Sequence, residues 1–161
     1  FFFKQKTAYE IPKRDWSSDV CSSDLEDRED IARAIAVVET LGALDIGQGA
    51  AVCRGLVLAV EAAEGTDALL RRIPDLPESL RGTPAKRRGV LVKAVKPHQE
   101  RRVDLPVIGP RTIELAGAAG LSGIAIEAGA SLIVRRKQVA EMAARAGLFV
   151  YGFTAKDRAR G

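Results

Sequence analysis

The feature that most constrains the fold is a series of short apolar runs, each closed within a few residues by glycine, charge or a turn. They are Ala50–Cys53, Leu56–Ala62, Gly89–Val92, Gly123–Glu127, Ser131–Val134 and Leu148–Phe153. Runs of this length bounded by turn residues suit buried strands. Between them lie stretches with helical spacing. Glu26–Leu44 places Ile31, Ala34, Ile35, Val38 and Leu41 on one face, with acidic residues at its start, and ends near Gly42. Ala68–Ile73, Arg111–Ala119 and Arg135–Ala146 complete the helical segments. Arg54-Gly55 splits the first two apolar runs as a tight turn would, so at least one hairpin is present. Strands alternating with helices predict an α/β class, a single mixed-sheet domain with flanking helices. Val57, Val60, Leu91, Ile124, Ile126, Ile133 and Val150 are the expected core. Pro74–Arg88 reads as a long surface loop and Thr154–Gly161 as a polar, frayed tail.

Residues 1–25 do not join this pattern. They show no sustained period, and no apolar run follows their basic start as a signal peptide requires. Lys4–Ile11 and Asp15–Leu25 resemble translations of the two constant parts of a common sequencing-library adapter, so this leader is expected to be non-native and not to pack. Its charges cancel (Lys4, Lys6, Lys13, Arg14 against Glu10, Asp15, Asp19, Asp24), which leaves the net charge of +4 to residues 26–161. That length suffices for one domain burying roughly two-thirds of its unfolded surface. Outside the leader the only aromatics are Phe149, Tyr151 and Phe153. Modest basicity with so few aromatics suits an anionic ligand or a membrane surface and argues against a nucleic-acid-binding domain. Cys53 is the only cysteine outside the leader, which excludes an internal disulfide there and points to a reducing compartment. No apolar run approaches the roughly 20 residues needed to span a bilayer.

Two stretches carry chemistry. Val92–Thr112 presents Lys93, Lys96, Arg101 and Arg102 around the carboxylate of Asp104, followed by Gly109-Pro110, where proline suits the first position of a helix. Cations beside an acid suit phosphate handling, in which charge on oxygen must be neutralised and a metal or water held. A solvated charged loop is the bland alternative. The second stretch, Glu61-Ala62-Ala63-Glu64-Gly65-Thr66-Asp67, joins a strand end to a helix start. Such a junction offers backbone N–H groups to a phosphate, and Gly65 permits close approach. Thr66 or Asp67 serving only as a helix cap is the favoured local reading. Gly120, Gly123 and Gly129 do not have dinucleotide-fingerprint spacing, His98 has no partner for a metal set, and Ser122 and Ser131 have no histidine for nucleophilic catalysis.

In order along the chain, LDIGQGAAVCRGLVLAVEAAEGTDALLRR, GVLVKAVKPHQERRVDLPVIGPRTIELAGAAGLSGIAIEAGASLIV and AGLFVYGF resemble the C-terminal domain of LpxI-type UDP-2,3-diacylglucosamine pyrophosphatases. The most specific parts are EGTD, KP-x-Q and R-x-DLP-x-IGP, and the resemblance covers Glu26–Phe153. It implies a bacterial lipid A enzyme that uses Mg²⁺ to hydrolyse UDP-2,3-diacylglucosamine to UMP and 2,3-diacylglucosamine 1-phosphate. By motif, Asp104 would be catalytic, and Lys93, Lys96, Gln99, Arg102, Gly65 and Thr66 would meet the pyrophosphate. Asp104, Asp67 and Glu64 would be the metal ligands. The implied partners are the lipid-linked UDP-sugar, the N-terminal domain of the same enzyme, the inner membrane by peripheral contact on its cytoplasmic face, and a second copy in a homodimer. Because the leader stands where that N-terminal domain would be, the chain is expected to be a cytoplasmic fragment, inactive or weakly active alone. The alternative is a non-catalytic nucleotide- or anion-binding module of the same fold.

Overall fold

The computed structural model describes residues 22–96 and 105–158. Helix α1 (Ser22–Ala43) leads into strands β1 (Gly49–Cys53) and β2 (Leu56–Val60), helix α2 (Gly65–Arg72) and a 3₁₀ turn. Strand β3 (Val90–Lys93) is followed by β4 (Val107–Ile108), α3 (Pro110–Ala118), β5 (Gly123–Glu127), β6 (Leu132–Ile133), α4 (Arg136–Ala146), β7 (Phe149–Phe153) and α5 (Ala155–Arg158). The main sheet has the order β2-β1-β3-β5-β7. Strands β3, β5 and β7 are parallel, while β1 runs antiparallel to both β3 and β2. This is the mixed sheet expected from alternating helices and strands with one hairpin.

Side-chain alternation sorts the strands between two cores. Ala50, Val52, Val90, Val92 and Ala125 pack beneath Ile31, Ala34, Ile35 and Val38 of α1. Ala51, Leu91, Ile124, Ile126 and Val150 face the other way, toward Leu69 and Leu70 of α2, Ile113 of α3 and Val139 of α4. The sheet is thus the middle of three layers. Period two has one further consequence: Lys93, two residues after Leu91, falls on the α2–α3 side.

The hairpin is clamped from α1. Arg54 and Gly55 both have positive φ, 52° and 75°, as a two-residue primed turn requires. Their backbone N–H groups donate to the Asp30 carboxylate at 2.8 and 2.6 Å. Asp30 is buried, and that burial raises its pKa above the ordinary aspartate value against the lowering pull of the two hydrogen bonds.

Three sequence expectations need correction. Val57, Val60 and Ile133 are only partly buried, because β2 is an edge strand and Ile133 sits on a separate two-stranded ribbon with β4. Ser22–Leu25, assigned to the leader, form the first turn of α1. Residues 1–21 lie outside the described residues. The tail carries α5, whose Asp157 accepts from the Thr154 backbone N–H at 2.7 Å and from the Tyr151 hydroxyl at 2.9 Å. The 74–88 stretch is the surface loop expected, and it is tied down: Arg87 donates to the Gly117 carbonyl at 2.9 Å and the Arg88 N–H to the Gly120 carbonyl at 3.0 Å.

Candidate active site

The carboxyl ends of β3, β5 and β7 define one edge of the sheet, and open α/β sheets bind ligands outside that edge. Lys93 closes β3 there, opposite Gly49 at the start of β1. Its side chain is 5 % exposed and its ammonium donates to Thr66 Oγ1 at 2.6 Å and to the Val107 carbonyl at 3.4 Å. The Thr66 hydroxyl in turn donates to Glu61 Oε2 at 3.0 Å. Glu61 Oε2 lies 3.8 Å from Lys93 Nζ, and the Glu61 side chain is 10 % exposed. A buried ammonium is costly unless paired and hydrogen-bonded, and here it is both.

Two glycines make room for Glu61. A Cβ on Gly49 would lie 2.4 Å from Glu61 Oε2, and one on Gly47 would lie 1.8 Å from the Glu61 carbonyl oxygen. Neither position tolerates a side chain without displacing the acid or its backbone. Gly65 has φ +79°, so it serves the left-handed turn that starts α2, and no described atom beyond its chain neighbours lies within 4 Å of where its Cβ would stand. The expectation that Thr66 or Asp67 caps α2 is overturned. The capping residue is Glu64, with no side-chain cap bond, while Thr66 turns inward to Glu61.

The remaining predicted residues are distributed as follows. Asp67 pairs with Arg71 at 3.3 Å and Arg111 at 3.8 Å, all three about half-exposed. Glu64 pairs with Arg72 at 2.8 Å, and Arg72 also donates to the Val60 carbonyl, tying the turn to the end of β2. Lys96 reaches Asp45 at 2.8 Å. Gln99, Arg102 and Asp104, with His98, lie outside the described residues. The structure therefore brings Lys93 to the Thr66 turn, and it gives Glu64 and Asp67 separate arginine partners. Among the described residues no group of three or more His, Cys, Asp or Glu side chains could hold a metal ion.

Several participants were not singled out from sequence. Glu61 was noted only as one acid of the junction. Its burial was signalled by Gly47 and Gly49, small residues just before and at the start of the strand that β2 pairs with. The Val107 carbonyl had no sequence signal, since any residue has one. Arg111, from the first turn of α3, reaches across to Asp67. Among the described residues two buried side-chain atoms have no hydrogen-bond partner: Gln48 Oε1, whose residue bonds through its backbone carbonyl to Ala94 N–H, and Ser131 Oγ, next to β6. Both flank this carboxyl edge. Glu127 at the end of β5 accepts from the Val95 N–H at 3.2 Å. Cys53 is remote from the edge, and burial pushes its thiol pKa up.

The family model for the LpxI C-terminal domain matches residues 19–151. The chain belongs to that family. It is also 57 % identical over 133 residues to the UDP-2,3-diacylglucosamine pyrophosphatase LpxI of Caulobacter vibrioides, an alignment that covers 83 % of this chain and 48 % of the relative. The chain thus spans about half the length of the curated LpxI protein it matches. The family match begins at residue 19, inside the stretch set aside as leader. Within this LpxI C-terminal domain, Lys96 and Leu105 flank the undescribed 97–104 segment. Lys96 pairs with Asp45, and the Pro106 carbonyl accepts from the Leu132 N–H, so both flanks are held by described bonds. Among the described residues no helix is long and apolar enough to cross a membrane.

Proposed function

We propose that this chain is the substrate-handling C-terminal half of a UDP-2,3-diacylglucosamine pyrophosphatase, hydrolysing the pyrophosphate bond to give UMP and 2,3-diacylglucosamine 1-phosphate. The observation that carries the reading is the buried Lys93 ammonium at the sheet's carboxyl edge, bonded to the first turn of α2, in a chain of this family. A fixed cation and a helix terminus together favour the negative charge that builds on pyrophosphate oxygens. In the reaction the oxygen of water bonds to one phosphorus, the bridging P–O bond breaks, and the released phosphate carries away the bridging oxygen.

Asp104 is the proposed acid that orients this water. It stands three residues before Val107, whose carbonyl Lys93 holds. Lys96, Gln99, Arg102, Gly65 and Arg111 form the wall that meets the pyrophosphate. Mg²⁺, which would supply Lewis-acid charge, commonly binds through one or two carboxylates plus substrate phosphates. Asp104 with the substrate's own oxygens meets that need better than Glu64 and Asp67, whose carboxylates are taken by arginines. The lipid substrate makes peripheral contact with the cytoplasmic face of the inner membrane part of the proposal, along with an N-terminal domain and a homodimer.

The test is UMP release from UDP-2,3-diacylglucosamine by a full-length protein carrying this half, with Mg²⁺ and with chelator. Mg²⁺-dependent release is expected, and the isolated half should be on the order of a hundredfold slower, since a half-built pocket cannot position the bond to be cut. Tight binding of UDP or UMP with no turnover by the full-length protein would favour the anion-binding module instead.

A further inference from the structure

The Glu61–Thr66–Lys93 chain has a direction. Thr66 has one hydroxyl hydrogen, and it is spent on Glu61 Oε2, so the lone pairs of Oγ1 are what Lys93 meets. The ammonium is 3.8 Å from the carboxylate, beyond hydrogen-bond range, while the bond to the hydroxyl is 2.6 Å. At that separation Glu61 acts on Lys93 through Thr66, as the acceptor that fixes which way the hydroxyl points. The Val107 carbonyl limits Lys93 from a second side.

We propose that Glu61 is a positioning residue that sets the Lys93 ammonium through Thr66, and that Thr66 is the middle member of this chain rather than a phosphate ligand or a helix cap. The inference rests on the pyrophosphatase reading for its consequence in turnover, while the chain itself is independent of that reading. Gly49 belongs to the same device. A Cβ there would meet Glu61 Oε2, the far end of a flexible side chain, at 2.4 Å, so an alanine would move the carboxylate without altering any member of the chain. Gly49 does not have a positive φ, so its replacement adds no backbone strain.

The experiment is a double-mutant cycle in the full-length protein, with kcat and KM for UMP release measured for Glu61→Gln, Thr66→Val, the pair together, Thr66→Ser and Gly49→Ala. If Glu61 works through Thr66, Glu61→Gln and Thr66→Val should each lower kcat by about tenfold or more and leave KM within about twofold, because the loss falls on a group acting in the transition state. The double variant should be no worse than Thr66→Val alone, the signature of two residues acting as one unit. Thr66→Ser, which restores the hydroxyl, should recover most of the Thr66→Val loss, and Gly49→Ala should lower kcat in the same sense as Glu61→Gln. Additive losses, a serine that fails to rescue, or losses confined to KM would overturn the proposal. A wild-type protein that releases no UMP rejects the pyrophosphatase reading instead. The same cycle read by thermal unfolding then decides the chain: non-additive destabilisation supports it and additivity overturns it.

Discussion

Asp30 offers the clearest quantitative test of how the fold is held. Its carboxylate accepts two backbone N–H groups, from Arg54 and Gly55, at 2.8 and 2.6 Å, and it is buried under the β1–β2 turn. Bonds to an ionised acceptor contribute ~1.5–3 kcal/mol each. Against them stands the desolvation that raises the Asp30 pKa, and Asp30→Ala removes that cost along with the bonds. The N–H groups it frees sit on exposed residues and regain water. The net loss should be ~2 kcal/mol, a fall in Tm of roughly 6–10 °C for a domain of this size. Asp30→Asn separates the terms. A folded-state pKa raised above the unfolded value gives stability that is fully present below the unfolded pKa and is lost as pH rises through the folded pKa. The wild-type chain therefore pays for ionising Asp30 at neutral pH and the asparagine variant does not. Denaturant unfolding of both chains at a series of pH values should find Asp30→Asn more damaging near pH 3.5 than near pH 7. A stability difference that does not change with pH, or one that grows toward neutrality, would refute the argument.

Other consequences can be checked in parallel. Gly123 lies against the Phe149 ring, 2.5 Å from where a Cβ would stand, so Gly123→Ala should cost ~1–3 kcal/mol by overpacking, read as a lower denaturation midpoint at unchanged m-value. Cys53 should resist a thiol reagent in the native protein and react fully on unfolding, since burial both covers it and raises its pKa. Asp67→Asn should change stability by less than about 1 kcal/mol, because its ion pairs with Arg71 and Arg111 are about half-exposed.

Much of the fold was legible because β1, β3, β5 and β7 are buried runs of apolar residues flanked by glycine, and because α1 shows its buried face as Ile31, Ala34, Ile35 and Val38. Strand β4 was not: it is two residues long, and Val107 is exposed. Helix α5 had a signal that was passed over, the Thr154-x-x-Asp157 spacing of a capping pair, in a tail judged by polarity alone. At the site, proximity in sequence put Lys93 in the cation-rich run but gave no account of its partners: Glu61 and Thr66 follow β2, on the far side of β1, and the Val107 carbonyl belongs to β4. Thr66 was misread as a cap for a related reason. Local rules rank a threonine near a helix start as a cap, but a buried carboxylate five residues earlier competes for the same hydroxyl and wins.

The central claim is that this half carries the acid of a pyrophosphate hydrolysis at the edge where Lys93 is fixed. It is tested most directly by steady-state release of UMP from UDP-2,3-diacylglucosamine by the full-length protein and its Asp104→Asn variant, with substrate affinity measured alongside. The account predicts that kcat falls by on the order of a hundredfold or more while affinity changes little, since the neighbouring cations remain. Near-normal turnover by Asp104→Asn would contradict it.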